Sequence, residues 1–415
     1  MLSLAQVVVC DKLATFRCSV PAELPTLETE RVRSNMARFA VTGGSLRLLT
    51  TGVTMKRRDV LTGAGALALA GCAAEPTCDN SAGGQQTFSW KMVTTWPPNF
   101  PGMGTGVTRM VEQIERASNG RLKIHVYAAG ELVPAMEVFD TVSRGTVQMG
   151  HGAAYYWKGK SEAAQFFTAI PFGMTVMEMN GWLYFGGGLE LYRELYSEFD
   201  LIPFPAGNTG VQMGGWFNRE INSIDDLKGL IMRIPGLGGA VLERAGGTPV
   251  ILPGGEIFTS LQTGAIDATE WVGPYNDMIM GLQEAAQYYY YPGWQEPGPT
   301  PECIFNKQAW ASLPEDLQTI VELACATLND QMTAEFSARN AEYLAELEQD
   351  PSVEIRQFPP EVIATLRKYT NELMAELIAR DPAAAKIYAS FSAYKKKAVR
   401  WTALSEQAFL NTRRT

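Results

Sequence analysis

Two α/β lobes followed by a helical tail are what this sequence predicts, and three observations predict it. Short apolar runs of period two alternate with apolar stripes of helical period from residue 88 onward. The same rhythm starts afresh after residue 210, and after residue 300 the pattern turns helical. Strands alternating with helices specify layered α/β architecture with a largely parallel sheet, because crossover helices cover the sheet faces.

In the first lobe, residues 88–210, "SWKMVTTW" (89–96) reads as a strand. "GTGVTRMVEQIERAS" (104–118) places Val107, Met110, Val111 and Ile114 on one helical face, and Asn119-Gly120 stops the helix. "RLKIHVYAA" (121–129) alternates into a second strand, "PAMEVFDTVSRG" (134–145) reads as a helix, and "TVQMGHGA" (146–153) as a third strand.

The second lobe, residues 211–300, repeats the rhythm. "GVQMGGWF" (210–217), "LIMRIP" (230–235), "TPVILP" (248–253) and "AIDATEW" (265–271) read as strands, with helices over 238–246 and 256–264 between them. In "YYYYPGW" (288–294) strand alternation predicts two tyrosines facing inward and two outward. Residues 301–350 are expected to return to the first lobe, with 314–349 forming one long helix or a bent pair. A C-terminal helical extension fills 351–415. Its helix over 359–380 aligns Val362, Leu366, Tyr369, Leu373 and Leu377, and a last helix spans 383–411.

The N-terminus reads as a targeting segment rather than as fold. Residues 55–72, "MKRRDVLTGAGALALAGC", open with Lys56, Arg57 and Arg58 and continue with an apolar run too short to span a bilayer. Leu69-Ala70-Gly71-Cys72 resembles a bacterial lipobox, in which the chain is cut before the cysteine and Cys72 carries lipid. Arg57-Arg58 before "DVL" resembles a twin-arginine export signal. The alternative is an amphipathic helix that stays in place. On the export reading Met55 is the start, 1–54 are an upstream extension, and 73–87, small and polar, are a flexible tether.

Composition excludes several classes. Of 415 residues, 46% are hydrophobic and 19% charged, as in ordinary globular proteins, and the formal charge is −9. Residues 1–71 hold nine of the 35 basic but only five of the 44 acidic residues, so the remainder is more acidic still. No basic face is left for nucleic acid. Cysteines stand at 10, 18, 72, 78, 303 and 325 with no CxxC, which argues against zinc and thioredoxin-like chemistry. The two histidines, His125 and His151, read as packed or surface residues, "GxSxG" is absent, and "PGLGGA" (235–240) lacks dinucleotide-binding spacing.

The residues left with chemical content cluster in the second lobe. Arg233 sits in "LIMRIP" between apolar neighbours, where a guanidinium needs an anionic partner. It reads as a bidentate clamp on a ligand carboxylate, as a structural ion pair, or as a residue at a sheet edge. Glu270, before Trp271 at a strand end, reads as a cation ligand, a partner of Arg233, a general base, or a cap. Gln212 carries an amide oxygen suited to a hard cation. The aromatic runs "AYYWKG" (154–159) and "YYYYPGW" read as core packing or as pocket walls.

"GNTGVQMGGWF" (207–217), "DLKGLIMRIPG" (226–236), "EIFTSLQTGAIDATEW" (256–271) and "YYYYPGW", in this order, resemble the substrate-binding proteins of TRAP transporters, most of all those that bind 2-oxo acids. The resemblance covers roughly 88–415. It implies a two-lobed periplasmic-binding-protein-like α/β fold with an interdomain cleft, and a periplasmic receptor that hands a carboxylate to a membrane permease driven by a sodium gradient. It implies that Arg233 pairs with the substrate carboxylate, and that Gln212, Glu270 and the main-chain carbonyl of Trp271 hold a metal ion. It implies pocket contacts for Asn208 and Tyr155. "TTWPPNF" (94–100) departs from the "SSFP" type of this subgroup, and the lipobox departs from freely soluble relatives.

An oxygen-only ligand set fits Na⁺, or alternatively Ca²⁺, and not zinc or copper. With Arg233, Glu270 and an acid ligand, one monovalent cation leaves the cleft neutral. A 2-oxo acid chelates through a carboxylate oxygen and its keto oxygen, and a lactate-type hydroxy acid offers nearly the same pair. The expected partners are the ligand, the permease, the membrane through Cys72, and a second copy of the chain through the C-terminal helices. Two other classes compete: a metal-assisted oxo-acid enzyme with Glu270 as base, which lacks a second acid–base group, and a ligand-binding sensor, which would need a separate signalling partner.

Overall fold

The computed structural model describes residues 86–413. The expected upstream extension, the signal segment, Cys72 and all of the tether but its last two residues lie outside the described residues.

Eleven strands are found among the described residues: β1 (Phe88–Thr94), β2 (Leu122–Tyr127), β3 (Met149–Gly152), β4 (Leu201–Pro205), β5 (Gly215–Phe217), β6 (Ile231–Arg233), β7 (Thr248–Val250), β8 (Ala268–Thr269), β9 (Tyr288–Tyr291), β10 (Glu302–Asn306) and β11 (Glu354–Gln357). They form two sheets, one in the order β2-β1-β3-β10-β4 and one in the order β11-β9-β5-β8-β6-β7. The two lobes are built on these sheets.

The sheets are mixed rather than largely parallel. β1 runs parallel to β2 and β3, but β10 runs antiparallel to β3 and β4, because the chain enters it on returning from the second sheet. In the second sheet β6 is parallel to β7 and β8, while β5 is antiparallel to β8 and β9. β4 escapes the sequence signals because "LIPFP" holds two prolines, which a sheet tolerates at the edge that β4 occupies.

Each sheet is covered on both faces. Met92 and Val93 are successive and both buried, yet they enter different cores. Tyr289 and Tyr290 do the same. The alternation expected for the tyrosine run holds, but the outward side is covered too. Tyr289 and Tyr290 are therefore buried, while Tyr291, at the strand end, is 40% exposed.

Glu315–Leu347 is one unbroken helix of 33 residues. The next helix, Pro360–Arg380, straddles the lobes: Val362 and Leu366 enter the core of the second, Met374 and Leu377 that of the first. Its single apolar stripe thus serves two cores. The expected last helix is two, Pro382–Leu404 and Glu406–Thr412, broken at Ser405.

The lobes are joined by two irregular segments, 206–214 and 292–301, which run side by side. Ala206 N donates to Pro301 O (2.9 Å), Gln212 N to Glu296 O (3.2 Å) and Gly293 N to Gln212 O (2.9 Å). Residues 210–214, expected as part of a strand, belong to this crossover. Gly207 and Gly210 have φ of 154° and 76°, which break extended pairing. Gly293 is required here, because a Cβ would lie 2.2 Å from the Gln212 carbonyl oxygen.

Candidate functional site

The site lies where three pieces of chain meet: the first lobe, the end of β6 and β8 in the second, and the paired crossovers. A small cavity of about 20 Å³ is lined there by Trp96, Tyr155, Tyr156 and Thr168 from the first lobe. Arg233, Trp271 and Val272 line it from the second, and Thr209, Gln212, Pro299 and Pro301 from the crossovers. This is the expected place for a ligand in an α/β protein, at the carboxyl ends of strands and between lobes. The lobes touch closely here. Gly236 has φ +63°, and a Cβ on it would lie 3.1 Å from the Cβ of Tyr155.

Arg233 ends β6 opposite Thr269 of β8 and is 1% exposed. Its Nη1 donates to Glu270 Oε1 and, at 3.1 Å, to the Glu270 carbonyl, while Nη2 donates to the Tyr156 hydroxyl at 3.4 Å. Its guanidinium lies 5.0 Å from the centre of the Trp271 ring, a cation–π contact. The structure thus realises the Arg233–Glu270 pairing read as one option from the sequence, and the cavity reaches the same guanidinium.

Glu270 follows β8 directly and is 1% exposed. Burial pushes its carboxyl up to about 7 although Arg233 opposes that shift. Desolvation therefore outweighs a single cationic partner. A second carboxylate, Glu296, stands in the returning crossover, 3% exposed and pushed well above its ordinary range by burial and by Glu270. Nothing in the sequence around Glu296 marks it as a site residue. "GWQEPGP" has no strand or helix period, and only its pairing with Gln212 across the crossover brings it to the site.

Buried oxygens without a hydrogen-bond donor include Gln212 Oε1, Glu270 Oε2 and Glu296 Oε2. The Gln212 Nε2 is spent on Thr209 Oγ1 (3.2 Å), which turns its oxygen free. Such orphaned oxygens are costly unless something positive meets them. Among the described residues no three His, Cys, Asp or Glu side chains form a ready cage. The donor set is carboxylate and amide oxygen, which fits a hard cation rather than zinc or copper.

Tyr155 lines the cavity as expected, and burial, Glu296 and Glu270 all raise its hydroxyl. Its neighbour Tyr156, also in "AYYW", lines it too. Asn208 does not line the cavity. Its amide nitrogen donates to Gly298 O and Thr300 Oγ1, each at 3.1 Å, and its oxygen accepts from Gly210 N (2.9 Å). It ties the two crossovers together behind Pro299 and Pro301.

Trp96, in the departing "TTWPPNF" segment, forms a wall and donates from Nε1 to Nδ1 of His151 at 2.8 Å. His151 is fully buried, and its Nε2 donates to Ala206 O at 2.8 Å. Burial lowers it to about 4, so the imidazole is neutral. It is the packed histidine the sequence suggested. His125 is exposed on β2 against the ring of Tyr127.

Residues 92–381 match the family model described as bacterial extracellular solute-binding protein, family 7. The chain is similar to the monocarboxylate 2-oxoacid-binding periplasmic protein of Nostoc sp., with 42% identity over 361 residues, 86% of this chain and 98% of that protein. It is similar to a TRAP periplasmic solute-binding protein of Colwellia psychrerythraea solved with calcium and pyruvate, at 43% identity and a TM-score of 0.77, covering 79% of this chain and 100% of that one. It is also similar to one of Pseudoalteromonas atlantica solved with sodium and pyruvate, at 44% identity and a TM-score of 0.77, covering 79% and 99%.

Proposed function

The chain belongs to bacterial extracellular solute-binding protein family 7, and on that premise we propose that it binds a short 2-oxo monocarboxylate of the pyruvate type together with a hard cation. The family consists of periplasmic solute receptors of TRAP transporters, not enzymes. The bound acid is then delivered to the membrane permease, whose work is driven by a sodium gradient.

The observation that carries this reading is the set of three buried, undonated oxygens beside a buried arginine: Gln212 Oε1, Glu270 Oε2 and Glu296 Oε2 next to Arg233. Arg233 takes the ligand carboxylate, with Tyr155 and Tyr156 beside it. Gln212, Glu270, Glu296 and the Trp271 carbonyl hold the cation, and Asn208 fixes the crossover that carries Gln212. When bound, the cation supplies positive charge to both protein carboxylates and to the acid. The relatives with calcium and with sodium bound to pyruvate support this pairing of acid and cation. Counting Glu296 revises the charge expected from the sequence: a divalent ion balances both carboxylates and the ligand against Arg233, whereas a monovalent ion balances one carboxylate fewer.

Export through residues 55–72 with lipid on Cys72 would hold the receptor at the membrane. A second copy would cover the exposed apolar end of the tail, where Trp401 and Leu404 are 71% and 72% exposed.

A thermal-shift panel tests the reading. Pyruvate, longer 2-oxo acids, lactate, acetate and a dicarboxylate are each added with Na⁺, Ca²⁺ or chelator. Stabilisation by 2-oxo acids only with a cation supports it; equal stabilisation by acetate, or none by any short acid, refutes the ligand.

A further inference from the structure

Asp277 is 1% exposed and has so far been given no role. Its Oδ1 accepts from Val272 N and Gly273 N, each at 3.1 Å, and its Oδ2 accepts from Trp216 Nε1 at 3.1 Å and the Tyr289 hydroxyl at 2.8 Å. Trp216 and Tyr289 are stacked with ring centres 4.0 Å apart, so both donors are held in place. Among the described residues no lysine, arginine or histidine pairs with it. A buried carboxylate with no countercharge is a costly way to fill core, and a well-packed apolar side chain would do that better.

What the carboxylate achieves is directional. The 271–272 peptide is trans and planar, so its N–H and C=O point opposite ways. With the Val272 N–H committed to Asp277, the Trp271 carbonyl oxygen is aimed away from Asp277. Trp271 and Val272 both line the cavity, and among the described residues nothing donates to that oxygen. The Val272 carbonyl is taken separately by Met213 N at 2.9 Å, which pins the same segment to the crossover. A charged acceptor holds two N–H groups more firmly than an amide would.

We propose that Asp277 is a positioning residue for the cation site, fixing the direction of the Trp271 carbonyl through Val272 N–H and Gly273 N–H. This rests on the reading above, in which that carbonyl meets the cation. Removing the charge while keeping the shape loosens both N–H bonds and places an amide group against the Trp216 or Tyr289 donors. The cation arm of binding then weakens, while the rest of the fold keeps its packing.

Trp271-Val272 is the only Trp-Val step in the sequence, so protein labelled with carbonyl ¹³C in Trp and ¹⁵N in Val gives one correlated signal for this peptide. Wild type and Asp277→Asn are titrated with CaCl₂ at fixed pyruvate, and Ca²⁺ affinity, this signal and far-ultraviolet circular dichroism are followed. The expected result is a Trp271 carbonyl shift on Ca²⁺ addition in wild type, and a Ca²⁺ Kd raised at least about tenfold in Asp277→Asn with an unchanged dichroism spectrum. Wild type binding pyruvate without any cation overturns the receptor reading and this inference with it. Cation-dependent wild type with an unmoved carbonyl signal overturns the inference alone. So does an Asp277→Asn protein of wild-type Ca²⁺ affinity, even if its melting temperature falls. Should Asp277→Asn not fold, Asp277→Glu, which keeps the charge but displaces it by one methylene, is titrated in its place: a Ca²⁺ Kd raised about tenfold supports the inference and wild-type Ca²⁺ affinity overturns it.

Discussion

Arg233 and Glu270 form an ion pair at the base of the cleft with both side chains almost wholly out of solvent, 2% and 1% exposed. The pair is doubled by the backbone, since Glu270 N donates to Arg233 O at 3.2 Å and Arg233 Nη1 to Glu270 O at 3.1 Å. The sequence places the two residues 37 apart, at the ends of neighbouring parallel strands β6 and β8. Their meeting gives Arg233 a structural role beside its proposed one, which sharpens what substitution should do.

Arg233→Ala should lose ligand binding and also fold stability. Truncating one partner of a buried pair leaves the other unpaired, at about 3–5 kcal/mol. Arg233→Lys keeps the charge but not the planar fork, and should weaken pyruvate binding about 10–100-fold, as for one lost charge-assisted hydrogen bond. Urea unfolding and calorimetry read the two effects separately. An Arg233→Ala protein that binds normally would sink the clamp.

Glu270→Gln and Glu296→Gln each remove one negative charge at nearly constant volume. Both should weaken cation binding by about tenfold or more, and Glu296→Gln should cost Ca²⁺ more than Na⁺. Competition between the two ions in pyruvate titrations measures this. Equal losses for both ions would remove Glu296 from the cation shell.

Glu302 predicts a pH dependence of stability away from the cation site. It is fully buried in β10, accepts from Trp157 Nε1 (2.6 Å), Tyr196 OH (3.1 Å) and Tyr192 OH, and burial raises it to about 7. A carboxyl raised on folding contributes stability that is fully present below its ordinary value of 4.5 and is lost as pH rises through 7. The span is worth on the order of 3 kcal/mol. His151, lowered to about 4, acts in the opposite sense. The informative quantity is therefore the difference between wild type and Glu302→Gln, which mimics the protonated acid. Glu302→Gln should gain on wild type between pH 5 and pH 8 in urea unfolding; a constant difference contradicts this.

His151→Phe should release Trp96 from the cavity wall. The indole N–H would be left without its buried acceptor, at about 1–3 kcal/mol of stability. Ligand selectivity should broaden as the wall loosens, read as a smaller ratio of pyruvate to longer 2-oxo acid affinity. An unchanged ratio would mean that other contacts hold Trp96.

Paired substitution Trp401→Glu and Leu404→Glu should convert the proposed dimer to a monomer in sedimentation experiments without changing ligand affinity, because both side chains point to solvent in the single chain. A wild-type protein that sediments as a monomer would rule out this contact.

How much was legible in the sequence follows from what each signal needs. Helices such as Glu315–Leu347 are fixed by local period, and Arg233 is conspicuous as a cation in an apolar strand. The two lobes follow from the repeated rhythm, and the cleft between them from the family resemblance. Gln212 was found but placed on a strand, because alternation continues into a crossover that glycines keep irregular. Glu296 and Asp277 were missed because their partners are remote or are main-chain groups. Neither sits in a periodic element with an exposed contradiction, and only tertiary pairing reveals them as buried charges. β4 carries two prolines, and β10, "ECIFN", is buried throughout and shows no alternation, so neither has a strand signal, although β10 is what knits the returning chain into the first sheet.

The most direct test of the receptor account is a calorimetric titration of pyruvate into the purified protein, first stripped with chelator in potassium buffer and then resupplied with Ca²⁺ or Na⁺. The expected result is no measurable heat of binding after stripping and restored one-to-one binding with either or both ions. Pyruvate binding of equal affinity in the stripped protein would contradict it, because Gln212, Glu270 and Glu296 would then hold no cation that the ligand needs.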